Sequence, residues 1–157
     1  MSLSEKCVQA ILDTCITEKD RVNLCITLKH SRYTWAHFET YNFLKQNVKV
    51  TFKHCFTQWL STVCHATHKH LRLSMKRHFD NEGITLHFHY ILHNVQNDRQ
   101  LSFYIQDDKV YKVDEANLPE DMPSAPLSRS TSVDEYMDNI APRFEKQFGK
   151  LIKLLEE

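Results

Sequence analysis

The sequence predicts an α+β fold: N-terminal helices, an antiparallel β-meander of about four to six strands, and a long C-terminal helix packed on or beside the sheet. Three observations carry this. Apolar residues recur at helical spacing towards both ends of the chain, they alternate with polar ones between Ile84 and Val113, and short polar turns punctuate that alternating region. Helices flanking a run of hairpin-linked strands point to a sheet covered on one face. A single domain over 1–157 is the natural reading, because a chain of this size buries roughly 70% of the surface its unfolded form exposes and needs no staples.

Taken in order, Ser2-Leu3-Ser4-Glu5 fits a capping box, and Cys7, Val8, Ile11, Leu12 and Cys15 follow at helical spacing, so a helix is expected from Ser4 to about Thr17. Val22, Leu24, Ile26 and Leu28 alternate with polar neighbours as in a half-buried strand. Residues 34–46 are ambiguous: Trp35, Phe38, Tyr41 and Leu44 suit a helix capped by Thr34, whereas Tyr33–Phe38 also reads as a strand. Val48, Val50 and Phe52 predict a short strand. Phe56, Trp59, Leu60, Val63 and Cys64 predict a helix from about His54 to Thr67, handing over to a strand near His70.

Asp80-Asn81-Glu82-Gly83 is a turn with glycine where a positive φ is needed. Ile84–Leu92, then Leu101–Ile105, then Val110–Val113 are the next strands, separated by the polar loop Asn94–Arg99 and by Asp107-Asp108. Residues 114–131 form a Pro-rich loop carrying Pro119, Pro123 and Pro126. Ser132 or Asp134 caps the closing helix 132–157, which Pro142 should kink or split into 132–140 and 142–156.

A net charge of zero conceals strong segregation: about −2 over residues 1–20, +9 over 21–79 and −7 over 80–157. Between Arg21 and Arg77 the lone carboxylate is Glu39, and seven of the ten histidines fall between His30 and His78. Such polarity points to a positive face that meets an anion, be it nucleic acid, a phosphoinositide headgroup or an acidic protein. Arg32, Lys69, Arg72, Lys76 and Arg77 are the residues expected to hold that anion. Tyr33, Trp35, Phe38, Tyr41, Phe52, Phe56 and Trp59 interleave with these cations as in single-strand binders, but they also occupy the periodic, core-facing positions.

Catalytic signatures are missing. With two glycines, Gly83 and Gly149, the chain has no phosphate-cradling loop, no dinucleotide fingerprint and no nucleophile elbow. His87 and His89 share a strand face with His93 beyond, and Cys64, His65, His68 and His70 cluster in sequence, but neither set has a recognised metal-ligand spacing, so no metal or cofactor is expected. His54-Cys55 and Cys64-His65 are helix neighbours that point apart, which argues against a thiol nucleophile.

Five scattered cysteines without a C-x-x-C, a charged Met1–Asp20 and no long apolar run lead us to expect a reducing compartment, nucleus or cytoplasm. Ser130, Thr131 and Ser132 beside Arg129 are phosphorylation candidates at a helix start. The reading is a non-enzymatic interaction or adaptor module whose basic segment, 21–79, contacts nucleic acid or an acidic protein within a larger complex. The alternatives are a peripheral module on anionic membranes, and a histidine-bound metal protein.

Overall fold

The computed structural model describes residues 20, 32–47, 49–79, 83, 86–114, 124–128 and 132–157. The helix expected at Ser4–Thr17 and the strand at Val22–Leu28 lie outside the described residues. Within them the predicted α+β architecture is present: a helix pair, a four-stranded antiparallel meander, and a C-terminal helix packed on the sheet.

Helix α1 (Trp35–Gln46) resolves the ambiguity of residues 34–46. The Thr34 side chain accepts from the His37 N–H and caps the helix, and this local bond selects helix over strand. Helix α2 (Phe52–Ala66) begins two residues before the sequence predicts. Here the expected short strand Val48–Phe52 is corrected: Thr51 caps α2 by accepting from the His54 N–H, and Phe52 enters the helix and is buried. What remains of extended pairing is one bridge, Thr51 to Pro126, with the Leu127 N–H donating to the Val50 carbonyl at 2.6 Å. An alternation of three residues is too short to outweigh a cap and an apolar helix face.

The sheet runs in sequence order through β1 (Leu71–Phe79), β2 (Leu86–Asn94), β3 (Arg99–Gln106) and β4 (Lys109–Lys112). Leu73 opposes Leu92, Tyr90 opposes Phe103 and Ile105 opposes Val110, so one face carries the apolar set. Gly83 adopts φ +72° between β1 and β2, as its place in that turn requires, and Asp107 takes φ 55° in the turn before β4.

Ser132 caps α3 (Val133–Asn139) through the Glu135 N–H, and α4 (Ala141–Glu156) follows after a break at Ile140. Pro142 sits in the first turn of α4, where its missing N–H would have had no partner anyway. The split is therefore the one that the proline predicts.

One aromatic cluster joins the layers. Phe144 of α4 is fully buried against Phe52, Phe56 and Trp59 of α2, with ring centroids 5.3–5.8 Å apart. The α4 side chain Gln147 is buried and accepts the Val110 N–H at 3.0 Å, which ties the helix to the β4 edge. α2 packs on β1 and α4 on β3 and β4, so the helices share the apolar face of the sheet. Met75 and Phe79 of β1 are exposed.

Candidate anion interface

Two depressions flank α2 and both border β1. The first, about 620 Å³, is walled by Phe43, Lys53, His54, Thr57 and Ser61 and floored by Met75, Arg77, Phe88 and Tyr90. The second, about 550 Å³, is lined by Ser61, Cys64, His65, Lys69, Leu71, Arg72 and Leu73. Ser61 borders both, so the two adjoin end to end, and together they make the trough between the polar stripe of α2 and the strand β1. From Leu71 to Arg77 that trough runs about 20 Å at the usual rise per strand residue. None of the described residues lining it is an Asp or a Glu.

The helical period explains the polar wall. In α2 the apolar positions Phe52, Cys55, Phe56, Trp59, Leu60, Val63 and Cys64 all turn into the core, which leaves His54, Gln58, Ser61 and His65 on the outer stripe. The strand period explains the cations. Arg77 shares the face of Phe88 and stands over its ring at 5.6 Å, while Lys53 approaches the same ring at 5.1 Å. Two cations thus converge on one aromatic ring at the distal end of the trough. Lys69 and Arg72 supply the proximal end, with the Arg72 guanidinium donating to the Lys69 and Leu71 carbonyls.

The structure separates the five residues expected to hold an anion. Arg77 belongs to the distal end and Lys69 and Arg72 to the proximal end. Lys76 lies on the opposite face of β1, beside His89, Ile91 and Ser102 in a larger cavity of about 880 Å³. Arg32 is not among the residues lining the trough and pairs with Glu145 at 3.6 Å. Lys53, His54 and His65 join the interface without having been singled out for an anion. The signal that could have found them was the α2 stripe at spacings of three and four, free of acid.

The interleaved aromatics resolve as core. Tyr33, Phe38, Tyr41, Phe52, Phe56 and Trp59 are buried, and the half-buried Trp35 stacks on Phe38. The six buried rings are unavailable for stacking on bases.

The remaining chemical candidates are otherwise engaged. His37 is buried, with Nδ1 at 2.8 Å from the Tyr136 hydroxyl and Nε2 at 3.1 Å from Glu145 Oε1. Burial drives its pKa below the usual imidazole value, although Glu145 pulls the other way. Burial pushes the thiols up, Cys55 to about 12 and Cys64 to about 11. His68 and His70 have ring centroids 5.9 Å apart, with His68 also edge-on to Phe148. Among the described residues no group of three or more His, Cys, Asp or Glu could hold a metal ion. Ser132 is occupied as a cap beside Asp134 and Glu135, an unfavourable setting for a phosphate, while Ser130 and Thr131 lie outside the described residues. No described helix is long and apolar enough to cross a membrane.

No protein-family model, curated protein or solved structure matches this chain.

Proposed function

We propose that this chain is a non-enzymatic interaction module of the nucleus or cytoplasm that captures an acidic segment of a protein partner along the trough between α2 and β1. The observation that carries the reading is a trough about 20 Å long in which Lys53, Arg77, Lys69, Arg72 and two histidines stand without a carboxylate among the described lining residues. Apolar ground at Leu73, Met75 and Phe88 gives a partner something to bury as well as something to neutralise. An acidic protein is favoured over single-stranded nucleic acid. Tyr33, Phe38, Tyr41, Phe52, Phe56 and Trp59 of the basic segment are spent in the core, and the Phe88 ring already carries two cations. The thiols Cys55 and Cys64, protonated and buried, support an adaptor role rather than nucleophilic chemistry.

The test is fluorescence anisotropy with labelled polyglutamate and with an oligodeoxythymidine of equal charge, at rising salt, on the native chain and on the triple variant Lys53→Glu, Lys69→Glu, Arg77→Glu. The reading expects salt-sensitive polyglutamate binding that weakens about tenfold or more in the variant. Equal binding by both proteins would sink it. Binding of the oligonucleotide alone would transfer the trough to nucleic acid.

A second reading has its own observation. Phe79 is 62% exposed and Met75 48%, on the strand β1 that also carries Arg77. Two exposed apolar side chains on β1, with Lys76 and Arg77 between them, suit an anionic bilayer surface. Co-flotation with vesicles containing phosphatidylserine, lost on Phe79→Ser, is the outcome that reading requires.

A further inference from the structure

β1 is the first strand of the sheet order, so one of its two edges has no strand beside it among the described residues. The direction of its backbone groups follows from the register. The Val95 N–H donates to the His70 carbonyl at 2.9 Å, one step beyond the Leu71–Asn94 pair. In an antiparallel ladder, bonded and non-bonded pairs alternate. Arg72, Ser74 and Lys76 therefore exchange bonds with His93, Ile91 and His89, while the N–H and C=O groups of Leu73, Met75 and Arg77 face the open edge.

Ser74, Met75, Lys76, Arg77 and Phe79 are exposed, on both faces of the strand. Two of the three large hydrophobic side chains exposed among the described residues, Met75 and Phe79, stand on it. A long, exposed, partly apolar edge is a template for another strand unless something guards it. The guard here is charge, and it is of one sign. Lys69, Arg72, Lys76 and Arg77 carry four positive charges within nine residues, with no Asp or Glu between them. Pairing two copies edge to edge would set these cations against their own duplicates. The same charges select an acidic strand.

Resting on the acidic-partner reading above, we propose the mode and the sequence pattern of capture: an extended peptide alternating apolar and acidic residues adds to the free edge of β1 and extends the meander by a strand. Side chains opposite Leu73 and Met75 point into the trough towards α2 and are apolar. Their neighbours in the peptide point to the other face, where Lys76 stands, and are acidic. This arrangement uses cations from both faces of the strand. It also gives a role to Lys76, which the trough alone leaves out.

The experiment is anisotropy titration of the full chain with a labelled peptide alternating valine and glutamate, and with two N-methylated forms of it, one methylated at every valine and the other at every glutamate. Strand addition presents one set of peptide amides to β1 and turns the other outward. One methylated form must therefore lose about tenfold or more in affinity while the other binds like the parent. The variant Met75→Pro removes an outward N–H without removing a bond to β2 and should weaken the parent peptide and the methylated form that binds like it, with its fold checked by circular dichroism. If both methylated forms bind like the parent, strand addition is overturned while the acidic-partner reading stands. If no form binds and polyglutamate does not bind either, both fall.

Discussion

His37 makes the stability of this domain dependent on pH with a sign that the structure fixes. It is 1% exposed, it stacks on Trp59, and both ring nitrogens are engaged, by Tyr136 of α3 and Glu145 of α4. Arg32 also lies against Glu145 and disfavours a charged imidazole. Desolvation is the largest influence and lowers the pKa below 6.5, so the native state prefers neutral His37. On acidification the unfolded chain takes up this proton before the native one does. The contribution is therefore complete above about pH 6.5 and is lost as pH falls through the lower native value. One proton difference is worth about 1.4 kcal/mol per pH unit at most. For a domain of this length that is roughly 3–5 °C in Tm per unit.

The assay is thermal unfolding by circular dichroism from about pH 7.5 to 5, on the native chain and on His37→Gln, whose amide retains hydrogen-bonding capacity but does not titrate. All other histidines are common to both proteins, so the gap in Tm isolates His37. The gap should narrow as pH falls. A constant gap would refute the reasoning, and a widening one would show that attraction to Glu145 outweighs burial.

Three further outcomes follow from the same packing. Phe144→Ala opens the aromatic cluster that seats α4 on α2 and should cost about 3–5 kcal/mol, read as a lower denaturation midpoint with an unchanged slope. Gln147→Leu leaves the Val110 N–H without its acceptor and should cost about 1–3 kcal/mol, with faster amide exchange at Val110. Cys55 and Cys64, buried with thiol pKa values near 12 and 11, should resist iodoacetamide at mildly alkaline pH until the chain is denatured, as mass spectrometry of the peptides would show.

Much of the fold was legible because its signals are local. Thr34 and Ser132 cap helices, Pro142 divides the C-terminal helix, and the Asp107 turn sits where alternation pauses. Val48–Phe52 misled because its alternation is short and because the partner that fixes its geometry, Pro126, comes from a distant part of the chain. The site was legible as a charge but not as a shape. Lys76 and Arg77 are neighbours in sequence, yet the strand period sends them to opposite faces. Arg32 lies in the basic segment, yet its partner Glu145 comes from the last helix. Lys53 became part of the interface only when α2 packed beside β1 and brought it to the Phe88 ring. Aromatic residues that looked like a stacking surface were the core itself, since one periodicity serves both readings.

Hydrogen–deuterium exchange on the native chain, with and without the alternating valine–glutamate peptide, tests the central claim most directly. The account predicts slowed exchange concentrated in Leu71–Phe79, with the opposite edge strand Lys109–Lys112 unchanged. Protection at Lys109–Lys112 or on α4, with Leu71–Phe79 unaltered, would contradict it.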